Sequence, residues 1–538
     1  MTGNNFIAFS PKIASATIAL LLAGTTLSAA PAGAAGLRKV SGFSPFASCV
    51  ADKPASQPGD LYRDSEIEPW IDVNPAHPNN LIAGWQQDRW SNGGARGLVA
   101  GYSLDGGRTW ARIAPRGISK CSGGEYDRAS DPWVTISPNG AAYFMSLAFN
   151  NDRPDGGFGK NAVIVHRSTN GGVSWGKPVS LIVDTDGKVF NDKNAMTADW
   201  RDSDYVYGVW DRIIDFTLPS SGSKAKPAHY AGDGSVSARE RLRMLKARAK
   251  SGKADARAVT FKGPTYFVRT TNGGASWEPP KKIYDPGPDA QTIGNLVDVL
   301  PGGDVVVAFT DITALGETHI GLIKSTNHGA TFGAASLPVS TNITFTGTLT
   351  PDTKESVRDG NILFDIAVDR GNGNLYLVWQ DGRWGGIDKV AFSQSKDGGT
   401  TWSAPAQINM TPVSGKRLRN QAFVPSVEVG ADDKIAVTYY DFRNDLSDGY
   451  ELTDYFAVTC SPKGGNDCSK RENWGDGTTK LKDIRLTPRS FDILDAPIAR
   501  GHFLGDYMGL VRKGNSFVPA FGIADSNNHT TIYSHPFR

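Results

Sequence analysis

The chain has 538 residues, too many for one small core and suited to several domains or to one large domain built from repeats. Its formal net charge of +2 excludes a global pull toward nucleic acid or a membrane surface. Aromatics make up 10% of it, glycines number 61, and long apolar helical patterns are scarce, which favours an all-β chain.

At the start, Lys12 precedes the apolar run IASATIALLLAGTTL and the small-residue tract SAAPAGAAG. A basic start, a short apolar middle and an Ala-x-Ala end such as Ala32-Gly33-Ala34 predict a secretory signal peptide over residues 1–35. The alternative is a membrane anchor, for which the run is short. No other segment reads as a helical span, so a secreted location, extracellular or periplasmic, is expected. Export permits disulfides. The four cysteines allow three pairings; Cys460 and Cys468 flank the Gly-rich SPKGGND as a local clasp, and Cys49 with Cys121 would then be a longer staple.

From residue 67 to 538 the chain repeats itself. Runs that pair a first and a second strand begin at Pro69, Pro132, Asn194, Gly294, Leu363, Val424 and Asp506. In five units a third strand then leads into one box: SLDGGRTW from Ser103, STNGGVSW from Ser168, TTNGGASW from Thr270, STNHGATF from Ser325 and SKDGGTTW from Ser395. The unit is therefore strand, strand, strand, box, strand. Asp or Asn at the third position (Asp105, Asn170, Asn272, Asn327, Asp397) accepts hydrogen bonds from nearby turn N–H groups. Glycine supplies positive φ, and the closing aromatic buries a large apolar face. The sixth unit has no box; its third strand runs into Cys460, with the clasp where the turn would be. The seventh has three strands and ends at the terminus.

Four-stranded antiparallel sheets repeated about an axis predict a β-propeller, with seven blades, or six if one weak unit is irregular. The segment 36–66 is expected to supply the last blade's missing strand. Residues 219–263 interrupt the third unit; SARERLRMLKARAK within them predicts a basic helical insertion, either a solvated surface helix or a lid attracting an anion.

The boxes resemble the Asp-box, or bacterial neuraminidase repeat, S-x-D-x-G-x-x-W, and with the strand pattern the resemblance covers nearly all of the mature chain. The chain is similar to secreted Asp-box propellers of the sialidase superfamily. Sialidases hydrolyse terminal sialic acids with three arginines on the sugar carboxylate, a Tyr nucleophile helped by a Glu, and an Asp acid/base. The resemblance implies a site on the face where first strands begin and second strands end. Second strands are followed there by Asp88-Arg89, Asp211-Arg212, Asp381 with Arg383, and Asp441 with Arg443; first strands start at Glu68, Asp131 and Asp506-Tyr507. Tyr507 is the candidate nucleophile, Asp506 and Glu428 are candidate bases, and Asp88 is a candidate acid. Arg89, Arg212, Arg383, Arg443, Glu68, Asp131, Asp211, Asp381 and Asp441 are candidate substrate-binding residues. Glu68-Pro69 stands where sialidases carry Arg-Ile-Pro, and an acid there repels a sialate. Each Asp/Arg pair also has an ordinary alternative, an ion pair capping a strand end.

The expected function is a sialidase-like glycoside hydrolase or glycan-recognising propeller, exo-acting on an extracellular glycan. The alternative is a non-catalytic propeller binding carbohydrate or protein. A metal-dependent lyase or phosphate-ester hydrolase is a weaker third option. The eight histidines form no metal-ligand spacing, calcium in the oxygen-rich loops lacks an EF-hand spelling, and neither a cofactor nor a metal is expected. A monomer is expected, with no nucleic-acid partner.

Overall fold

The computed structural model describes Met1 and residues 36–151, 156–217, 260–339, 341–446 and 448–538. The predicted signal peptide, beyond Met1, and the helix-prone part of the predicted insertion lie outside these residues. The insertion's last residues are not insertion: Phe261–Lys262 is a strand paired with Ile214 and Asp215.

Among the described residues the chain is built from strands with only short 3-10 helical turns, and the strands pair antiparallel except Val357–Arg358, which runs parallel to His502–Phe503. Six sheets each hold a four-stranded meander, beginning with Leu61–Val73, Arg128–Ile136, Val189–Ala198, Gln291–Val299, Phe364–Val368 and Ala422–Val429; in the third, the short strand Phe261–Lys262 comes between the second and third meander strands. Sheets one and two join through a single pairing of Ala95 with Ala129. The last sheet holds Gly509–Lys513, Ser516–Ser526 and His529–Ser534, and its fourth strand is Arg38–Lys39 from the other end of the chain. No helix among the described residues is long and apolar enough to cross a membrane.

The central strands of these sheets are buried along their whole length on both faces, as Leu81–Trp90 and Ala142–Phe149 show; Ala142–Phe149 reads as a nearly continuous apolar run, whereas Leu81–Trp90 carries buried Gln86, Gln87, Asp88 and Arg89 toward its end. Each first strand packs on the first strand of the next sheet, and Gly509–Lys513 packs on both Ala422–Val429 and Leu61–Val73. Side chains tie these neighbours to each other's backbone. Ile136 N donates to Asp72 Oδ2 (2.8 Å), Ala198 N to Thr135 Oγ1 (2.9 Å), and Thr197 Oγ1 to Val297 O (2.6 Å). Thr310 Oγ1 donates to Ile362 O (2.7 Å), Val427 N to Asp365 Oδ2 (2.9 Å) and Ser426 Oγ to Met508 O (2.6 Å). Glu68 N meets Leu504 O at 3.4 Å. These bonds satisfy buried polar groups that would otherwise cost free energy.

The box turns are self-contained. Asp105 Oδ1 accepts from Thr109 N (2.9 Å) and Ser103 Oγ accepts from Gly107 N (2.9 Å). Hydrogen bonds from Thr109 hold the Asp105 carboxyl down to about 2. The closing aromatics reach across: Trp277 meets Tyr143 of the preceding sheet edge-on at 6.4 Å, and Phe332 meets Phe267 at 5.0 Å. The sixth sheet does this job differently. The Cys460–Cys468 disulfide closes the turn, and fully buried Trp474 packs edge-on against Phe392 of sheet five at 4.9 Å. The other disulfide joins Cys49 to Cys121.

Candidate active site

Five first strands bulge at one register, where a single residue takes left-handed φ: Glu68 (53°), Asp131 (50°), Lys193 (47°), Gly294 (69°) and Val424 (50°). Only glycine adopts this region freely, and for a β-branched residue such as Val424 it is a strained outlier. A bulge re-aims side chains and breaks the ladder locally. Repeated around the sheets, it gathers chemistry from strands far apart in sequence.

Glu68, Asp131, Lys193, Asp506 and Tyr507 meet in this way, each less than a tenth exposed except Asp506, which is half-buried. Gln86 Nε2 donates a short hydrogen bond to Glu68 Oε2, and Asp506 N approaches Glu68 Oε1 at 3.4 Å. Burial first, then the charges of Asp506 and Asp131, push the Glu68 carboxyl up to about 8; Arg89 and Arg358 oppose this. Arg358 holds Asp506 in a two-point grip, Nε on Oδ1 at 3.0 Å and a shorter bond from the other arm to Oδ2. The strand pairing of Val357–Arg358 with His502–Phe503 presents that guanidinium, and His502 Nε2 contacts Glu355 Oε2 at 2.8 Å beside it. Arg358 and Arg89 both lie over the Phe503 ring, at 4.1 and 5.1 Å.

The Tyr507 hydroxyl is buried without a hydrogen-bond partner among the described residues. Burial and the Glu68, Asp131 and Asp506 charges hold this phenol well above its ordinary 10. Lys193 Nζ sits 3.6 Å from the Tyr507 ring centre and 4.9 Å from that of Trp133, a cation held between aromatic faces. Trp133 stacks on Trp70 at 3.6 Å. The cavity lined by Trp70, Trp133, Lys193, Asp359, Asp506 and Tyr507 holds about 20 Å³, room for a single water. Only the edge of a ligand could therefore enter it.

The other residues expected at the site lie elsewhere. Asp88 is fully buried and ties the N-terminal segment down, accepting from Ser44 Oγ (2.8 Å) and Asp64 N (2.9 Å). Arg212 is forked onto Asp184 at 2.5 and 2.6 Å. Arg383 pairs with Asp381 at 2.6 Å, and Arg443 grips Asp441 at 2.5 Å and Asp483 at 2.7 Å. Asp211 is buried against Gly294 N at 3.0 Å, its carboxyl raised to about 8 by burial. Glu428 belongs to a separate group at the far ends of the first strands, where it shares the field of Arg370 with Asp72 and Asp298, and that of Arg512 with Asp298. Arg212, Arg383 and Arg443, candidate substrate-binding residues, are each engaged by a carboxylate: Asp184, Asp381 and Asp441. Lys193, Arg358, Trp70 and Trp133 were not anticipated. The recurrence of acid-Pro-Trp at 68–70 and 131–133 was the available signal for the tryptophans.

Several buried acids share one sign of shift. Burial raises Glu66 and Glu68 to about 8, Asp365 to about 7, and Asp72, Asp298 and Asp388 to about 6. The folded state therefore holds more protons than the unfolded chain between the ordinary carboxylate range and pH 8. Their contribution is intact at low pH and is lost as pH climbs through about 6 to 8. Thermal unfolding should show stability falling by at least ~2 kcal/mol from pH 5 to 8.5. A flat or rising profile over that window would contradict the burial assigned to these groups.

The fold and site define a disulfide-bonded all-β chain, built of repeated four-stranded sheets, with a buried acid–arginine–tyrosine cluster where the first strands bulge. No protein-family model and no curated protein matches the sequence. Among solved structures, a protein of unknown function from Dyadobacter fermentans aligns over 94% of this chain and 100% of its own, with 13% identity and a TM-score of 0.41. An intramolecular trans-sialidase from Ruminococcus gnavus aligns over 89% of this chain and 97% of its own, at 12% identity and a TM-score of 0.42. An α-L-arabinanase from Penicillium chrysogenum aligns over 89% and 95%, at 11% identity and a TM-score of 0.41. No residue role is carried over from any of them.

Proposed function

We propose that this chain is a secreted seven-bladed Asp-box propeller that hydrolyses a glycan at the mouth where its first strands bulge. The cycle of first-strand contacts supports the closed ring, and the two disulfides fit export. One observation carries the chemistry: Glu68 keeps its proton to about pH 8 beside carboxylates in the same buried cluster. Acids pushed apart by their surroundings divide the roles of proton donor and proton acceptor. Glu68 gives its proton to the glycosidic oxygen. Asp131, steadied by Ser130 Oγ at 2.8 Å, takes one from the attacking water. Tyr507, its proton firmly held, acts as a hydrogen-bond donor to the sugar rather than as a nucleophile. Glu68 holds its proton and Asp365 is raised to about 7. The remaining acids Asp131, Asp359 and Asp506 equal in number the cations Lys193, Arg89 and Arg358, which leaves no surplus cation for a sialate carboxylate, so the proposed substrate is a neutral or amino sugar.

The test is hydrolysis of a panel of neutral, amino and sialyl oligosaccharides. Release of a neutral or amino sugar supports the reading. Turnover of sialosides alone overturns its specificity, and no turnover of any member overturns its catalysis. The second reading, a non-catalytic glycan receptor, is favoured by the engagement of Arg212, Arg383 and Arg443 with their own acids. Binding without turnover would support it.

A further inference from the structure

At the opposite ends of the strands from Glu68, a groove of about 420 Å³ lies between the box turn of sheet two and that of sheet three. Its walls include the half-buried indoles of Trp175 and Trp277, and its base the buried Tyr143 and His166. The Tyr143 hydroxyl and His166 Nδ1 have no hydrogen-bond partner among the described residues. His166 Nε2 is engaged with Arg116 O at 2.9 Å, so it carries the proton and Nδ1 is left an acceptor. Exposed Arg167 and Lys177 also line the groove, and neither forms an ion pair among the described residues.

The chain contains its own control for this arrangement. The residue before the first box position is Arg167 in sheet two, before Ser168, and Arg269 in sheet three, before Thr270. In sheet three, Glu278 follows the box tryptophan and neutralises Arg269, Nε to Oε2 at 2.9 Å; Arg269 also reaches His328 O at 2.5 Å. In sheet two the matching place is Gly176, and the next residue is Lys177. The acid that would cancel Arg167 is replaced by a gap and a second cation. Gly176 N donates to Arg167 O at 2.8 Å, so the turn keeps its shape while this pair of positions goes from neutral to positive.

We infer that this groove is a second carbohydrate site, which binds an anionic sugar unit, a uronate or a sulfated sugar, apart from the mouth. Indole faces take the apolar face of a pyranose ring. Arg167 and Lys177 take the carboxylate or sulfate by charge-assisted hydrogen bonds. Such a site would hold a polymer on the protein without acting on it. The inference does not depend on any activity at the mouth.

The test is calorimetric titration of the full chain with three oligosaccharides of equal length: an oligogalacturonate, a sulfated oligosaccharide and a neutral cello-oligosaccharide, with inorganic sulfate as a fourth ligand. One acidic oligosaccharide should bind saturably, and which one does separates carboxylate from sulfate recognition. The double variant Arg167→Ala/Lys177→Ala should weaken that binding about tenfold or more, with unfolding temperature unchanged. Gly176→Glu, which restores the acid of sheet three, should weaken it too. The Glu68→Gln variant should bind at this site like the wild type, which separates this result from failure of the mouth chemistry. Equal binding of the neutral sugar, competition by sulfate at the saccharide's own concentration, binding indifferent to the double variant, or no binding of either acidic ligand would each overturn the assignment.

Discussion

Replacing Glu68 by Gln should lower turnover of the glycan substrate by about 10²–10⁴-fold, the usual worth of a positioned general acid. The amide keeps the side chain's size and can still accept from Gln86 Nε2, but it has no proton to give the leaving oxygen. Substrate affinity should change little, because the lost interaction is made as the bond breaks. The pH profile is the sharper readout. Wild-type activity should fall as pH rises through about 8, where Glu68 loses its proton. In the variant that limb should vanish from whatever residual rate persists. A variant with unchanged turnover, or with the same alkaline limb, would remove Glu68 from the reaction and leave the binding reading in its place.

The largest effect on stability should come from Asp52→Ala. Arg96 is fully buried and its guanidinium meets Asp52 at both ends, Nε to Oδ2 at 2.7 Å and Nη2 to Oδ1 at 2.8 Å. A third contact runs from Nη1 to Phe46 O at 3.0 Å, while Asp88 stands off at 3.9 Å. Removing Asp52 strands a buried cation, which costs about 3–5 kcal/mol. The loss falls on the N-terminal segment, which the Cys49–Cys121 disulfide fastens to sheet one. Urea unfolding of the single variant should show this loss. The double variant Asp52→Ala/Arg96→Met should recover most of it, since the cost is the unpaired charge and not the missing contact. A single variant within about 0.5 kcal/mol of wild type would mean that the pair is not desolvated.

Much of the architecture could be read from the chain because it is locally written. The box turns are closed by bonds spanning four residues, such as Gly107 N to Ser103 Oγ, and each copy is spelled out in the sequence. Both disulfides pair as their spacing suggested. Glu68, Asp131, Asp506 and Tyr507 were legible as the starts of first strands. The arginines misled because an Asp and an Arg two residues apart at a strand end, as in Asp441 and Arg443, satisfy each other before any ligand arrives.

The sequence by itself determined the repeat, its turns and its covalent clasps, since these depend on hydrogen bonds and torsions within a few residues. Only the tertiary structure decided which acids share a site. Arg358 and Asp506 lie 148 residues apart, and Lys193 reaches Tyr507 from another sheet. Such partners are chosen by how the sheets pack and where their first strands bulge. The charges brought together there are costly to bury alone, so they take their character from neighbours that no local stretch of sequence contains.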